Sequence, residues 1–183
     1  MAIITITGTP SSGKSTLAKL LAKKLRYRHY SMGDLQRMLA AERGVSINEL
    51  VRRNIDDENS TDAYVDEHQT ALGKKEDDFV LDGRISFHFL PHSIKLFVDA
   101  DEKIRAERLL SRDAVTETAA SVAHAEELNR ERVEHDRTNF TRRYGVDPYA
   151  RQNYDLVLDS THASPEELAR QVLRKFPQLR PKQ

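Results

Sequence analysis

Short uncharged runs alternate along the chain with apolar stripes spaced as on a helix face. Ile3-Ile4-Thr5-Ile6-Thr7 is β-branched and free of charge, as expected of a strand covered on both faces of a parallel sheet. Leu17, Leu20, Leu21 and Leu25, with Ala18 and Ala22 among them, then recur at helical spacing. Tyr27-Arg28-His29-Tyr30 predicts a second strand. A helix follows, with Asp34 read as its cap, Leu35, Met38 and Leu39 on one face, and Gly44 to end it. Ser46 and Glu49 have the spacing of a capping box before Leu50 and Val51, and the polar stretch Asp56 to Thr61 is a loop by composition. Ala63 to Leu72 predicts a helix with a thin stripe of Tyr64, Val65, His68 and Leu72, in which His68 is a half-exposed face residue rather than a ligand.

The second half continues the alternation. Phe79-Val80-Leu81-Asp82 and Ile94-Lys95-Leu96-Phe97-Val98 predict the third and fourth strands, and Asp99 or Asp101 caps a helix carrying Ile104, Leu109 and Leu110. From Val115 to about Tyr144 the period is helical, but the segment is highly charged and poor in large apolar residues, so it either projects or covers something. Asp155-Leu156-Val157-Leu158 gives a fifth strand. Ser164, Pro165 and Glu167 open a last helix with Leu168, Val172, Leu173 and Phe176 on its apolar face. Residues Pro177 to Gln183 are expected to fray. Strands separated by helices predict an α/β fold with a five-stranded parallel sheet, which binds ligands at the carboxyl ends of its strands. Gly8, Gly33, Gly83 and the pair Asp99 and Asp101 all fall at such ends.

The first of these ends carries a specific pattern. Gly8-Thr9-Pro10-Ser11-Ser12-Gly13-Lys14-Ser15, followed by Thr16, has two glycines four residues apart and then Lys and a hydroxyl residue, between a strand and a helix. In that context backbone N–H groups and the positive end of the helix dipole converge on one concavity, which suits a polyphosphate. Lys14 is expected to contact the outer phosphates and the Ser15 hydroxyl to sit on Mg²⁺.

Composition narrows the class. The chain has 183 residues, enough for one domain, and 29 basic residues balance 29 acidic ones. Without a basic excess, a nucleic-acid partner is not expected. Cysteine is absent, which excludes disulfides, thiol nucleophiles and cysteine-based zinc sites. No membrane-length apolar run and no targeting segment is evident, so the expectation is a cytoplasmic monomer.

Charge is unevenly spread. Nine arginines but only two lysines lie between Arg84 and Arg143, and the guanidinium fork matches phosphate oxygens bidentately. About half of the nine are explained by a solvated helical face with pairs such as Glu127 and Glu131 near Arg130. Arg37, Arg84, Arg132 and Arg137 are the better phosphate candidates. Asp82, at a strand end, is either a carboxylate behind Mg²⁺ or a turn residue. The chemistry that fits is phosphoryl transfer between two anions, with the segment from Ala114 to Tyr144 closing over the site to exclude water. No general base stands out.

Several stretches resemble the nucleoside monophosphate kinases, and specifically the short, archaeal-type cytidylate kinases. They are Ser31-Met32-Gly33-Asp34 with Arg37, Leu81-Asp82-Gly83-Arg84 with Ser86, Arg105-Ala106-Glu107-Arg108, Tyr144-Gly145-Val146-Asp147 and Tyr154-Asp155-Leu156-Val157. The resemblance implies a P-loop NTPase three-layer sandwich, ATP and Mg²⁺ at the loop, a monophosphate-binding helical region at about 34–72 and a lid at about 112–143. It also implies that Arg37 and Arg84 hold the acceptor phosphate, together with Gly33, Asp34, Asp82 and Gly83, while Arg108, Arg112, Arg132 and Arg137 serve phosphates and donor from the lid side. Ile85 stands where the longer bacterial cytidylate kinases carry Asp, and Asn139 where a further lid arginine is expected.

Three readings follow: an ATP-dependent kinase of CMP and dCMP, a kinase of another monophosphate, nucleoside or small metabolite, and a nucleotide-dependent switch. Arg37 and Arg84 at separate strand ends favour an acceptor, which a switch does not need. Met32, where adenine-specific relatives use a hydroxyl, and Gly83-Arg84-Ile85-Ser86 favour a pyrimidine. Ser86 is either a base or ribose contact or a side chain that satisfies its own turn.

Overall fold

A computed structural model describes residues 2–45, 61–111 and 119–181. Five parallel strands, β1 (Ile3–Gly8), β2 (Arg28–Ser31), β3 (Phe79–Asp82), β4 (Ile94–Asp99) and β5 (Leu156–Asp159), form one sheet in the order β2-β3-β1-β4-β5. Between them run α1 (Lys14–Leu25), α2 (Met32–Glu42), α3 (Thr61–Lys75), the single turn α4 (Ser86–Phe89), α5 (Glu102–Leu110) and α6 (Val122–Tyr144), with α7 (Pro165–Lys175) last.

The inner strands β1, β3 and β4 are covered on both faces, and β3 shows how. Val80 packs with Ile4, Ile6, Leu96, Val98 and Leu158 against Leu17 and Leu21 of α1 and Leu168 and Val172 of α7. Its neighbours Phe79 and Leu81 point the opposite way, into a second core with Met32 of α2, Val65 and Leu72 of α3, and Leu90. This double burial is why the strand sequences read as continuous apolar runs rather than alternating ones. Truncating Leu81 or Leu96 to Ala removes side chains from fully packed surroundings, at a cost of about 2–5 kcal/mol each.

Register aligns the carboxyl ends. Asp82 lies opposite Ile6 on one side and Ser31 on the other, Gly8 opposite Val98, and Asp99 opposite Asp159. Everything that follows these residues therefore emerges along one rim.

Several local expectations need correction. Ser31, not Asp34, caps α2: its hydroxyl accepts from the Asp34 N–H, because the helix begins directly after β2 and leaves no room for a later cap. Asp101 caps α5 by accepting from the Lys103 and Ile104 N–H groups, whereas Asp99 is turned toward the loop. The chain end does not simply fray, since Leu179 is buried in the core beneath α7. The charged segment forms one helix from Val122, packed on α5 through Ala106, Leu109 and Ala125. The apolar face expected of α5 is incomplete, because Leu110 is exposed. The capping box at Ser46 and Glu49, most of the Asp56–Thr61 stretch and Arg112 lie outside the described residues. Gly44 lies just after the end of α2 at φ 65°, and Ser164, Pro165 and Glu167 form a complete capping box at α7.

Candidate active site

The loop between β1 and α1 is wrapped by its own backbone. The Thr9 N–H donates to the Val98 carbonyl at 3.1 Å and the Ser12 N–H to the Thr9 carbonyl at 3.2 Å. A Cβ on Gly8 would lie 2.4 Å from the Val98 carbonyl oxygen, so any side chain there would force the loop off β4. Gly13 sits at φ 85° and places no side chain over the start of α1, leaving the first-turn N–H groups facing outward. Pro10 and Ser11 complete the turn. The loop is tied to the rest of the rim by Thr9, whose hydroxyl donates to Asp99 at 2.9 Å, and by Ser160, whose hydroxyl donates to the Ser12 carbonyl at 2.7 Å.

Beside the loop, Arg108 of α5 reaches across to Ser160, with nitrogens 3.0 Å from its hydroxyl and 2.6 Å from its carbonyl oxygen. These residues, with Ser11, Gly13, Thr16, Ser111 and Pro165, line a cavity of about 350 Å³. A larger open groove of about 570 Å³ runs along α7 past His162, Arg170 and Arg174, but contains none of the loop or strand-end residues.

On the β3 side everything converges on Asp82. The Lys14 ammonium donates to its Oδ1 at 2.9 Å and the Ser15 hydroxyl to the same oxygen at 3.1 Å, while Ser31 Oγ lies 3.3 Å away. Its second oxygen is 2.8 Å from His29 Nε2. Asp82 is 1 % exposed. Burial alone would raise its pKa, but the hydrogen bond from His29 and the charge and hydrogen bond of Lys14 outweigh it and hold the carboxyl well below the usual carboxylate range. Burial pushes the Lys14 pKa down; Asp82 opposes that shift, and Arg84 and Arg132 add to it. Lys14 and Ser15, which lie 68 and 67 residues from Asp82 in sequence, thus form one unit with it. An oxygen set of this kind, a hydroxyl backed by a carboxylate, suits a hard divalent cation.

Of the four candidate arginines, Arg84 and Arg132 lie near enough to act on Lys14. Arg37, one turn into α2, pairs with Asp34, and its guanidinium lies 3.6 Å from where a Cβ on Gly33 would be. Arg84 follows Gly83 off the end of β3 and pairs with Asp136 of α6. Asp136 also accepts from the Tyr149 hydroxyl at 2.7 Å. Arg137 bonds Asp147 at 3.2 Å and Glu134 at 2.6 Å, and its guanidinium lies 5.9 Å from the Tyr149 ring centre. Burial raises the pKa of the Tyr149 hydroxyl, and Arg132 is near enough that its charge offsets part of that rise and adds to the lowering of Lys14. Arg132 and Asp136, one turn apart on α6, therefore face Lys14 and Arg84, although they are scattered within a charge-rich stretch of sequence. Ser86 is buried against Gly83, and its Oγ has no hydrogen-bond partner among the described residues, so it does not satisfy its own turn.

His29, Asp136 and Tyr149 were not legible as neighbours of these residues. His29 sits in a strand that reads as ordinary, and Asp136 is one of many acidic residues on α6. A buried polar residue betrays itself only once its surroundings are folded.

Comparison with known proteins places this geometry. Residues 3–162 match the cytidylate kinase-like family. The chain is 34% identical over 166 residues to a cytidylate kinase from Natronomonas pharaonis, covering 90% of this chain and 83% of the relative. It is 35% identical over 159 residues to a cytidylate kinase from Methanothrix thermoacetophila, covering 86% and 88% respectively. A shikimate kinase from Acinetobacter baumannii solved in complex with shikimate superimposes with a TM-score of 0.63, over 100% of this chain and 96% of that one, at 16% identity, a likeness of fold alone. By the extent of the family match and the identity to these relatives, the chain belongs to the cytidylate kinase-like family.

Proposed function

We propose that the protein transfers the γ-phosphoryl group of ATP to the phosphate of CMP, and of dCMP, forming the diphosphate directly. The observation that carries this reading is the presence of two cationic groups on one rim, Lys14 at the loop and Arg37 with Arg84 across Asp82 from it. One suits the donor's outer phosphates and the other an acceptor phosphate. The 350 Å³ cavity beside Arg108 is the natural place for the donor's nucleoside.

Phosphoryl transfer asks the protein to position two anions and to neutralise the charge that spreads over the transferred group. The N–H groups of Gly13, Lys14 and Ser15 at the start of α1 cradle the donor, Lys14 bridges to its outer oxygens, and Arg84 and Arg37 bring up the acceptor. Arg132 and Arg137 close from α6, which we read as a lid from about 112 to 143, over a monophosphate-binding region at about 34–72. Ser15 would hold Mg²⁺, with Asp82 behind it; bound there, the ion offsets negative charge on the phosphates. The acceptor phosphate has a second pKa near 6 and is mostly ionised at neutral pH, so no side chain need remove a proton.

All of these groups come from one chain, and we take a monomer acting in the cytoplasm, without a nucleic-acid partner, as the working unit. Among the described residues no helix is long and apolar enough to cross a membrane. An ADP-release assay with CMP, dCMP, UMP, AMP, GMP, several nucleosides and no acceptor tests the reading. CMP and dCMP should give the highest kcat/KM, UMP less, and the purines least. ADP release that is independent of any acceptor would favour a nucleotide switch instead.

A further inference from the structure

α3 buries one polar side chain within its apolar face. Val65 and Leu72 pack into the core with Met32, Leu81 and Leu90, and Gln69, one turn after Val65, lies on that side and is 3 % exposed. The Gln69 amide nitrogen donates to Asp66 Oδ1 at 3.2 Å. A carboxylate can only accept, so this bond fixes which end of the amide faces Asp66 and turns Oε1 away from it. Among the described residues that oxygen accepts no hydrogen bond, and a buried acceptor without a donor is a costly arrangement.

The surroundings suit a flat, polar-edged ligand. The other Asp66 oxygen accepts from the Tyr144 hydroxyl at the end of α6. The Tyr144 ring leans on His88 and Phe89 of α4 at centroid distances of 5.8 and 5.6 Å. α4 begins two residues after Arg84, at Ser86, whose unpartnered hydroxyl is the second such oxygen in this corner. The corner thus joins the proposed acceptor-phosphate arginine to two unpaired oxygens and aromatic walls.

We propose that Gln69 Oε1 and the Asp66 carboxylate receive the exocyclic amino group of cytosine, so that this pair reads the acceptor base; the proposal rests on the CMP-kinase reading above. Cytosine presents an amino donor at ring position 4, whereas uracil presents a carbonyl acceptor there. With uracil bound, two acceptors face each other and Oε1 stays unpaired, which rejects the wrong base by mispairing. Adenine also carries an amino group, so its rejection falls to ring size, and the contrast that reports on Gln69 is cytosine against uracil.

The test measures kcat/KM for CMP, UMP and the CMP analogue lacking the 4-amino group, in the wild-type protein and in Gln69→Leu, with thermal melting alongside. In the wild type, removing the amino group should cost about tenfold to a hundredfold, the range for one hydrogen bond in a buried site. In Gln69→Leu the same removal should cost less than about threefold, the CMP preference over UMP should shrink to match, and the KM for ATP should stay as it was. The variant should melt no lower than wild type, because an apolar side chain replaces an unpaired buried oxygen. Equal sensitivity to the amino group in both proteins overturns the assignment. So does a wild type that turns over CMP but is indifferent to that group, a result that needs no variant to fold and leaves the kinase reading intact. A wild type inert toward every monophosphate overturns the kinase reading, and this assignment with it.

Discussion

The two sides of the strand rim hold their candidate phosphate-binding arginines in different ways. Toward β5, Arg108 is bound to the hydroxyl and carbonyl of Ser160, neutral groups that are themselves fastened to the loop. Toward β3, Arg37 pairs with Asp34, Arg84 with Asp136, and Arg137 with Glu134 and Asp147, each a carboxylate. Lys14, between the two sides, rests on Asp82. A carboxylate resembles a phosphate in charge and in its paired oxygens, so it keeps a guanidinium aimed at the place where a phosphate would bind. On the assignment proposed above, the difference teaches that the donor side is built into the frame, while the acceptor side is held by contacts that an acceptor would have to exchange. The exchange is cheap for the exposed Arg37–Asp34 pair, worth about 0–1 kcal/mol. It is harder for Arg84, whose partner Asp136 is buried and also bonded to Tyr149.

The largest effect should come from the group shared by both sides. Lys14→Met removes the cation that we propose faces the transferring phosphoryl group, and turnover should fall by about 10²-fold or more with the fold intact. Steady-state rates on a variant with a normal melting curve check this, and near-normal turnover would remove the loop lysine from the mechanism.

A smaller change isolates the exchange. Asp136→Asn keeps a hydrogen-bond partner for Tyr149 but removes the charge held against Arg84, so the KM for CMP should fall by about two- to fivefold while the KM for ATP stays constant. A rise in the KM for CMP would mean instead that Asp136 sets Arg84 in its working position.

The smallest effect is one of pH. Asp82 is held below the usual carboxylate range in the folded state, so its contribution to stability is complete above the unfolded carboxylate value near 4 and is lost as pH falls toward the folded value. The stability gap between wild type and Asp82→Asn should therefore be constant from pH 8 to pH 5 and narrow by about 1 kcal/mol per unit below pH 4. Denaturant melts at pH 7, 4 and 3 measure it. A gap that widens in acid contradicts the assignment of the low value to Asp82.

The frame was easy to read because its signals are local. A buried parallel strand such as Phe79–Asp82 must be apolar throughout, and the box at Ser164 and Glu167 closes within one turn. The turn from Gly8 to Gly13 was legible for the same reason, since a close approach to β4 at Gly8 and a positive φ at Gly13 both demand glycine at fixed places. Arg84 and Arg37 could be singled out by their places after a strand end, but their partners could not. Asp136 lies 52 residues beyond Arg84, on a helix whose acidic residues look alike until packing buries one of them. The cap of α2 was misplaced because Ser31 belongs to both strand and helix, leaving no intervening loop to mark the boundary.

The central claim is that donor and acceptor phosphates have separate arginine and lysine partners on one rim, and calorimetry on Arg84→Ala and Arg37→Ala tests it most directly. Each substitution should weaken CMP binding by about 1.5–3 kcal/mol, the range for a hydrogen bond to a charged group, while ATP binds nearly as in wild type. Loss of ATP binding with CMP binding unchanged in both variants would contradict it.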